Sequence, residues 1–88
     1  MKADHKAVTQ SLKIAKGQIE AILRMVDDDR YCIDISTQLL ATEALLKKTN
    51  KIVLEAHLKG CVREAFEANA DVDKKIEEVL RVVDKLVC

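Results

Sequence analysis

The sequence predicts an all-α protein of three helices, the second of them very long. Three observations carry this. The 88 residues contain no proline and only two glycines, Gly17 and Gly60. Apolar residues of the first third recur at alternating spacings of three and four, and a long run from about Tyr31 to Asn69 is broken by a single glycine. Proline and glycine punctuate turns, so a β-sandwich or barrel would have nothing to build its hairpins from, and an all-β fold is excluded. The chain is 49% hydrophobic with one Tyr and one Phe, a helical-bundle composition. At this length it forms one domain, residues 1–88, with no room for a second.

The first helix follows from Val8, Leu12, Ala15, Ile19, Ile22 and Val26, a heptad-like stripe, with Lys13, Lys16, Glu20 and Arg24 between. Gly17 sits in mid-helix at a cost of up to ~1 kcal/mol relative to alanine unless a close contact uses it. Asp27, Asp28 and Asp29 end this helix, because consecutive acids oppose its dipole, and one of them can cap the next helix. The second helix draws its apolar surface from Ile35, Leu39, Leu45, Leu46, Ile52, Val53, Ala56 and Leu58. At 1.5 Å per residue it runs on the order of 55 Å, more than the rest of the chain can cover, so a homodimer is expected. Asn69, Asp71 and Asp73 supply stop and cap signals before a third helix marked by Ile76, Val79, Leu80, Val83, Leu86 and Val87.

Fifteen basic residues balance fifteen acidic ones, so a generalised polycation is excluded, and nucleic-acid binding requires basic residues gathered on one face. The first seven residues carry Lys2, Asp4, His5 and Lys6 with no signal-like apolar run, and nothing approaches the ~20 apolar residues of a membrane span. A cytoplasmic protein is expected. Three cysteines, Cys32, Cys61 and Cys88, favour thiol or metal chemistry over a disulfide framework.

His57 and Cys61 stand four apart on expected helix, so their side chains share one face and can chelate one ion. Cys32 lies 25 residues before His57, ~37 Å along a helix, too far for one ion within one chain. Two long helices packed antiparallel would bring the Cys32 end of one beside the His57–Cys61 end of the other. Two thiolates and one imidazole then suit trigonal Cu(I), whereas zinc or nickel would seek a fourth ligand such as His5, Cys88, a carboxylate or water.

Gly17-Gln18-Ile19 with Arg24-Met25, Tyr31-Cys32-Ile33-Asp34 with Gln38, and Leu54-x-x-His57-Leu58-x-x-Cys61 resemble the CsoR/RcnR family of metal- and thiol-responsive transcriptional repressors over nearly the whole chain. The set Cys32, His57 and Cys61 is similar to the copper-sensing CsoR branch. The nickel/cobalt branch replaces the last cysteine with histidine, and the persulfide-sensing branch lacks the histidine. The resemblance implies a dimer of antiparallel hairpins assembled into a tetramer, which binds operator DNA when metal-free and releases it on binding Cu(I). It further implies that Tyr31 and a third-helix glutamate, assigned to Glu77 beside Glu78, contact the outer nitrogen of the coordinated His57.

There is no helix-turn-helix signature. Lys13 and Lys16 on the first helix and Lys47, Lys48 and Lys51 on the second match the basic positions with which the family meets DNA, and lysines at these spacings suit phosphate contacts. Relatives usually carry arginines on the first helix, better bidentate readers of guanine. His5 is expected to be solvent-exposed near a frayed terminus, although some relatives recruit an N-terminal histidine as a ligand, and Cys88 to be an incidental exposed thiol. Two other readings use the same residues. Cys32 and Cys61 can form an intersubunit dithiol sensing persulfides or electrophiles, or the chain can carry copper without binding DNA. No nucleophile–base pair outside the thiol site points to an enzyme.

Overall fold

A computed structural model describes residues 1–67 and 72–87, apart from the side chains of Val62, Ala65, Phe66, Val72, Leu86 and Val87. The described residues form α1 (His5–Asp27), α2 (Cys32–Glu67) and α3 (Val72–Val87), with no strand among them. The all-α expectation and the very long second helix are both met. Asn69, Asp71 and Cys88 lie outside the described residues.

The start of α1 is set by Asp4, whose side chain accepts from the Lys6 N–H at 3.1 Å while its carbonyl accepts from Val8. His5 is therefore the first residue of a capped helix and not part of a frayed end, though it is exposed. The acidic run closes α1 from the other side. Asp29 adopts a left-handed conformation, φ 53°, with its N–H bonded to Val26 O and the Arg30 N–H reaching Met25 O at 2.9 Å. This is a Schellman ending with aspartate where glycine is usual. The carbonyl of Tyr31 then accepts from Asp34 and Ile35 to open α2, and Asp34 in the first turn faces the positive end of the helix dipole.

By its contacts the chain divides into two compact units, Asp4–Asn50 and Met1–Ala3 with Lys51–Cys88, and α2 contributes to both. In the first unit α1 buries Val8, Ala15 and Ile22, each seven residues from the next. The other members of the stripe, Leu12, Ile19 and Val26, are 47–56% exposed. The helices of this unit are tied by a polar bond, Thr42 Oγ1 to Gln18 Oε1 at 2.9 Å, with Thr42 itself buried. Buried Thr49 instead bonds back to Leu45 O at 2.8 Å. In the second unit Val79 of α3 and Ala3 of the N-terminal tripeptide are both 5% exposed and form its buried points.

Candidate metal centre

The site begins with helical geometry. Because α2 is unbroken through this stretch, residues 57 and 61 lie one turn apart on one face. Cys61 Sγ stands 3.3 Å from His57 Nε2 and 3.7 Å from Nδ1, and both side chains are half-buried. One ion can bridge that gap, since metal–sulfur and metal–nitrogen bonds of about 2.3 and 2.0 Å together exceed it. A thiolate beside an imidazole is a soft, borderline donor pair that suits Cu(I) or zinc better than magnesium or calcium. The donors present thus fit a thiophilic ion.

Among the described residues of one chain, no cluster of three or more His, Cys, Asp or Glu side chains able to hold a metal occurs. Cys32, the first residue of α2, is exposed and belongs to the other compact unit, as does the exposed Tyr31 beside it. The structure therefore brings together two of the three expected donors.

His57 also lines a cavity of about 310 Å³, together with Met1, Lys2, Leu54, and Glu78 and Val79 of α3. The carboxylate sharing this cavity is Glu78. Glu77, the residue singled out from the sequence, is exposed and is not part of the lining. A further charged contact escaped the sequence reading. Lys2 Nζ donates to Glu64 Oε1, one turn beyond Gly60 and Cys61. The hydrogen bond and charge of Lys2 hold the Glu64 carboxyl below its ordinary range, with smaller contributions from Lys75 and His57. In turn, Glu64 raises the Lys2 ammonium, and Cys61 adds to the effect.

Lys13, Lys16, Lys47, Lys48 and Lys51 are all exposed. Two of them are shared with acids on their own helix: Lys47 lies 3.2 Å from Glu43 Oε1 and Lys51 3.9 Å from Glu55 Oε1. Those pairings were visible in the sequence as i,i+4 spacings. Lys13 also borders a polar concavity with His5, Lys6, Thr9 and Gln10 at the start of α1.

Residues 4–85 match the protein family described as metal-sensitive transcriptional repressors. The chain belongs to this family. A metal-sensitive repressor acts on DNA and not as an enzyme. Over 78 residues this repressor is 38% identical to the copper-sensing transcriptional repressor CsoR of Bacillus subtilis (strain 168), covering 89% of this chain and 76% of that one. Its structure is similar to that of the copper-sensing repressor CsoR with Cu(I) from Geobacillus thermodenitrificans NG80-2, with a TM-score of 0.81 and 30% identity over 94% of this chain and 85% of that one. It also shares its fold with the nickel-responsive transcriptional regulator InrS, with a TM-score of 0.80 at 19% identity over 98% and 96% of the two chains. No helix among the described residues is long and apolar enough to cross a membrane.

Proposed function

We propose that this repressor responds to copper(I), binding operator DNA when metal-free and leaving it when Cu(I) is bound at a site shared between subunits. The observation that carries the reading is the 3.3 Å approach of Cys61 Sγ to His57 Nε2. It leaves a two-donor half-site that Cys32 of a second copy completes. The 38% identity to a copper-sensing repressor supports copper as the ion, and softness favours Cu(I) for a two-thiolate, one-imidazole set. The whole chain acts as one cytoplasmic repressor domain, as an antiparallel dimer assembled into a tetramer. Lys13, Lys16, Lys47, Lys48 and Lys51 contact operator phosphates, exchanging Glu43 and Glu55 for DNA oxygens at two of them.

Coupling between the sites is a differential affinity. The form that holds Cu(I) best holds DNA least, and DNA weakens Cu(I) binding by the same factor. In this reading His57 transmits the signal, its outer N–H held by Tyr31 and by an α3 carboxylate. The family resemblance assigns that carboxylate to Glu77, while the shared cavity favours Glu78.

Anaerobic titration of the reduced protein with Cu(I), while the anisotropy of its complex with DNA from its own promoter is followed, tests this. Release near one copper per subunit is expected, and its absence in Cys32→Ala. His57→Ala should keep much of its Cu(I) affinity through the thiols yet stay on DNA. Of Glu77→Gln and Glu78→Gln, the one that reproduces this uncoupling identifies the acceptor. DNA binding untouched by copper would leave the thiol-sensing reading, and no DNA binding a copper-carrying protein.

A further inference from the structure

The N-terminal tripeptide plays no part in the function proposed above, yet five observations place it beside the donor pair. Met1–Ala3 packs with Lys51–Cys88, whereas the chain from Asp4 onward belongs to the other unit. Ala3 is buried at 5% exposure, so the segment is anchored by more than charge. Lys2 donates to Glu64 on the turn after Cys61. Its aliphatic stem lies directly on Gly60: a Cβ at that position would stand 3.0 Å from Lys2 Cδ and 3.2 Å from Cγ. Glycine is a poor helix former, and in the interior of α2 it is explained here by the room the lysine stem needs. Met1 and Lys2 also form part of the cavity wall that His57 lines.

We propose that Met1–Ala3 is a strap across the His57–Cys61 face of α2, latched by the Lys2–Glu64 ion pair, that limits the access of thiol reagents and soft-metal carriers to that pair. The proposal rests on the copper reading only for what the strap guards. An ion pair this exposed is weak and easily exchanged with water. The strap thus opens and recloses readily, slowing access without sealing the site.

The test uses metal-free, reduced, full-length protein in a Cys32→Ser, Cys88→Ser background, leaving Cys61 as the sole thiol. Its alkylation by iodoacetamide, a neutral reagent that charge does not steer, is followed at neutral pH, where lysine is charged, and each rate is divided by that variant's thiolate fraction, read from its ultraviolet absorbance. A change in the ionised fraction then cannot imitate a change in access. Lys2→Glu and Glu64→Lys should each react severalfold faster than the parent. The double exchange Lys2→Glu/Glu64→Lys should return to the parent rate, because the latch is re-formed with its charges reversed. Gly60→Ala should also speed alkylation by displacing the lysine stem while leaving the helical circular dichroism intact. Rates within twofold of the parent in all variants, or a double exchange as fast as the single ones, would overturn the strap. No copper enters the measurement, so its outcome is independent of which metal the repressor senses.

Discussion

Glu64 shows how one side chain can join distant parts of a small protein, since its partner Lys2 lies 62 residues earlier in the chain. Its folded pKa is lowered, so its contribution to stability is present at neutral pH and is lost as pH falls through the folded value. Lys2 is shifted upward, so its contribution is also present at neutral pH and is lost as pH rises through its own folded value. The groups that set Glu64 are Lys2 first, then Lys75 and His57. In Lys2→Met the Glu64 carboxyl carbon, followed by NMR, should therefore titrate at higher pH than in the parent. An unmoved midpoint would mean that the contact does not persist in solution. The same scale explains why Glu77 and Glu78 were hard to separate in the sequence. Both are acids of one exposed turn, and only the packing of α3 beside His57 puts Glu78 on the cavity wall.

At the scale of elements, the helices are where local chemistry and structure agree best. Apolar spacing and the absence of proline predicted α1 and α2 to within a few residues of their ends, because these features act over one or two turns. The acidic run was read as a boundary for the right physical reason, but its working detail lies in backbone geometry. Asp29 occupies a left-handed position that aspartate tolerates and β-branched residues resist. Asp29→Val should lower the stability to urea by about 1–2 kcal/mol, and Asp29→Gly should match or exceed the parent. Equal loss in both variants would show that the aspartate side chain, and not the backbone conformation, closes α1.

At the scale of the molecule, half of an apolar stripe is left uncovered by its own chain. Val8, Ala15 and Ile22 are buried while Leu12, Ile19, Leu23 and Val26 are 47–59% exposed. Ile19 and Leu23 border an apolar hollow with Leu39 and Leu46 of α2, within the same compact unit. In the proposed dimer a second copy covers apolar side chains that are exposed among the described residues, and association of this kind makes unfolding depend on concentration. The melting temperature should rise with protein concentration, and Leu23→Glu should lower it and flatten that dependence. A melting temperature independent of concentration would indicate a stable monomer and remove the basis for a shared copper site.

Helix content, the approximate boundaries and the His57–Cys61 pair were determined by the sequence alone, because periodicity and i,i+4 spacing are properties of a single helix. The metal-sensing family was legible too, in short motifs that sit on those helices. Three features were decided only by tertiary structure: the contact of Lys2 with Glu64 and Gly60, the place of Glu78 in the lining of the cavity that His57 shares, and which half of the α1 stripe is buried. Each depends on which segments far apart in the chain lie against one another, and a local pattern does not encode that choice.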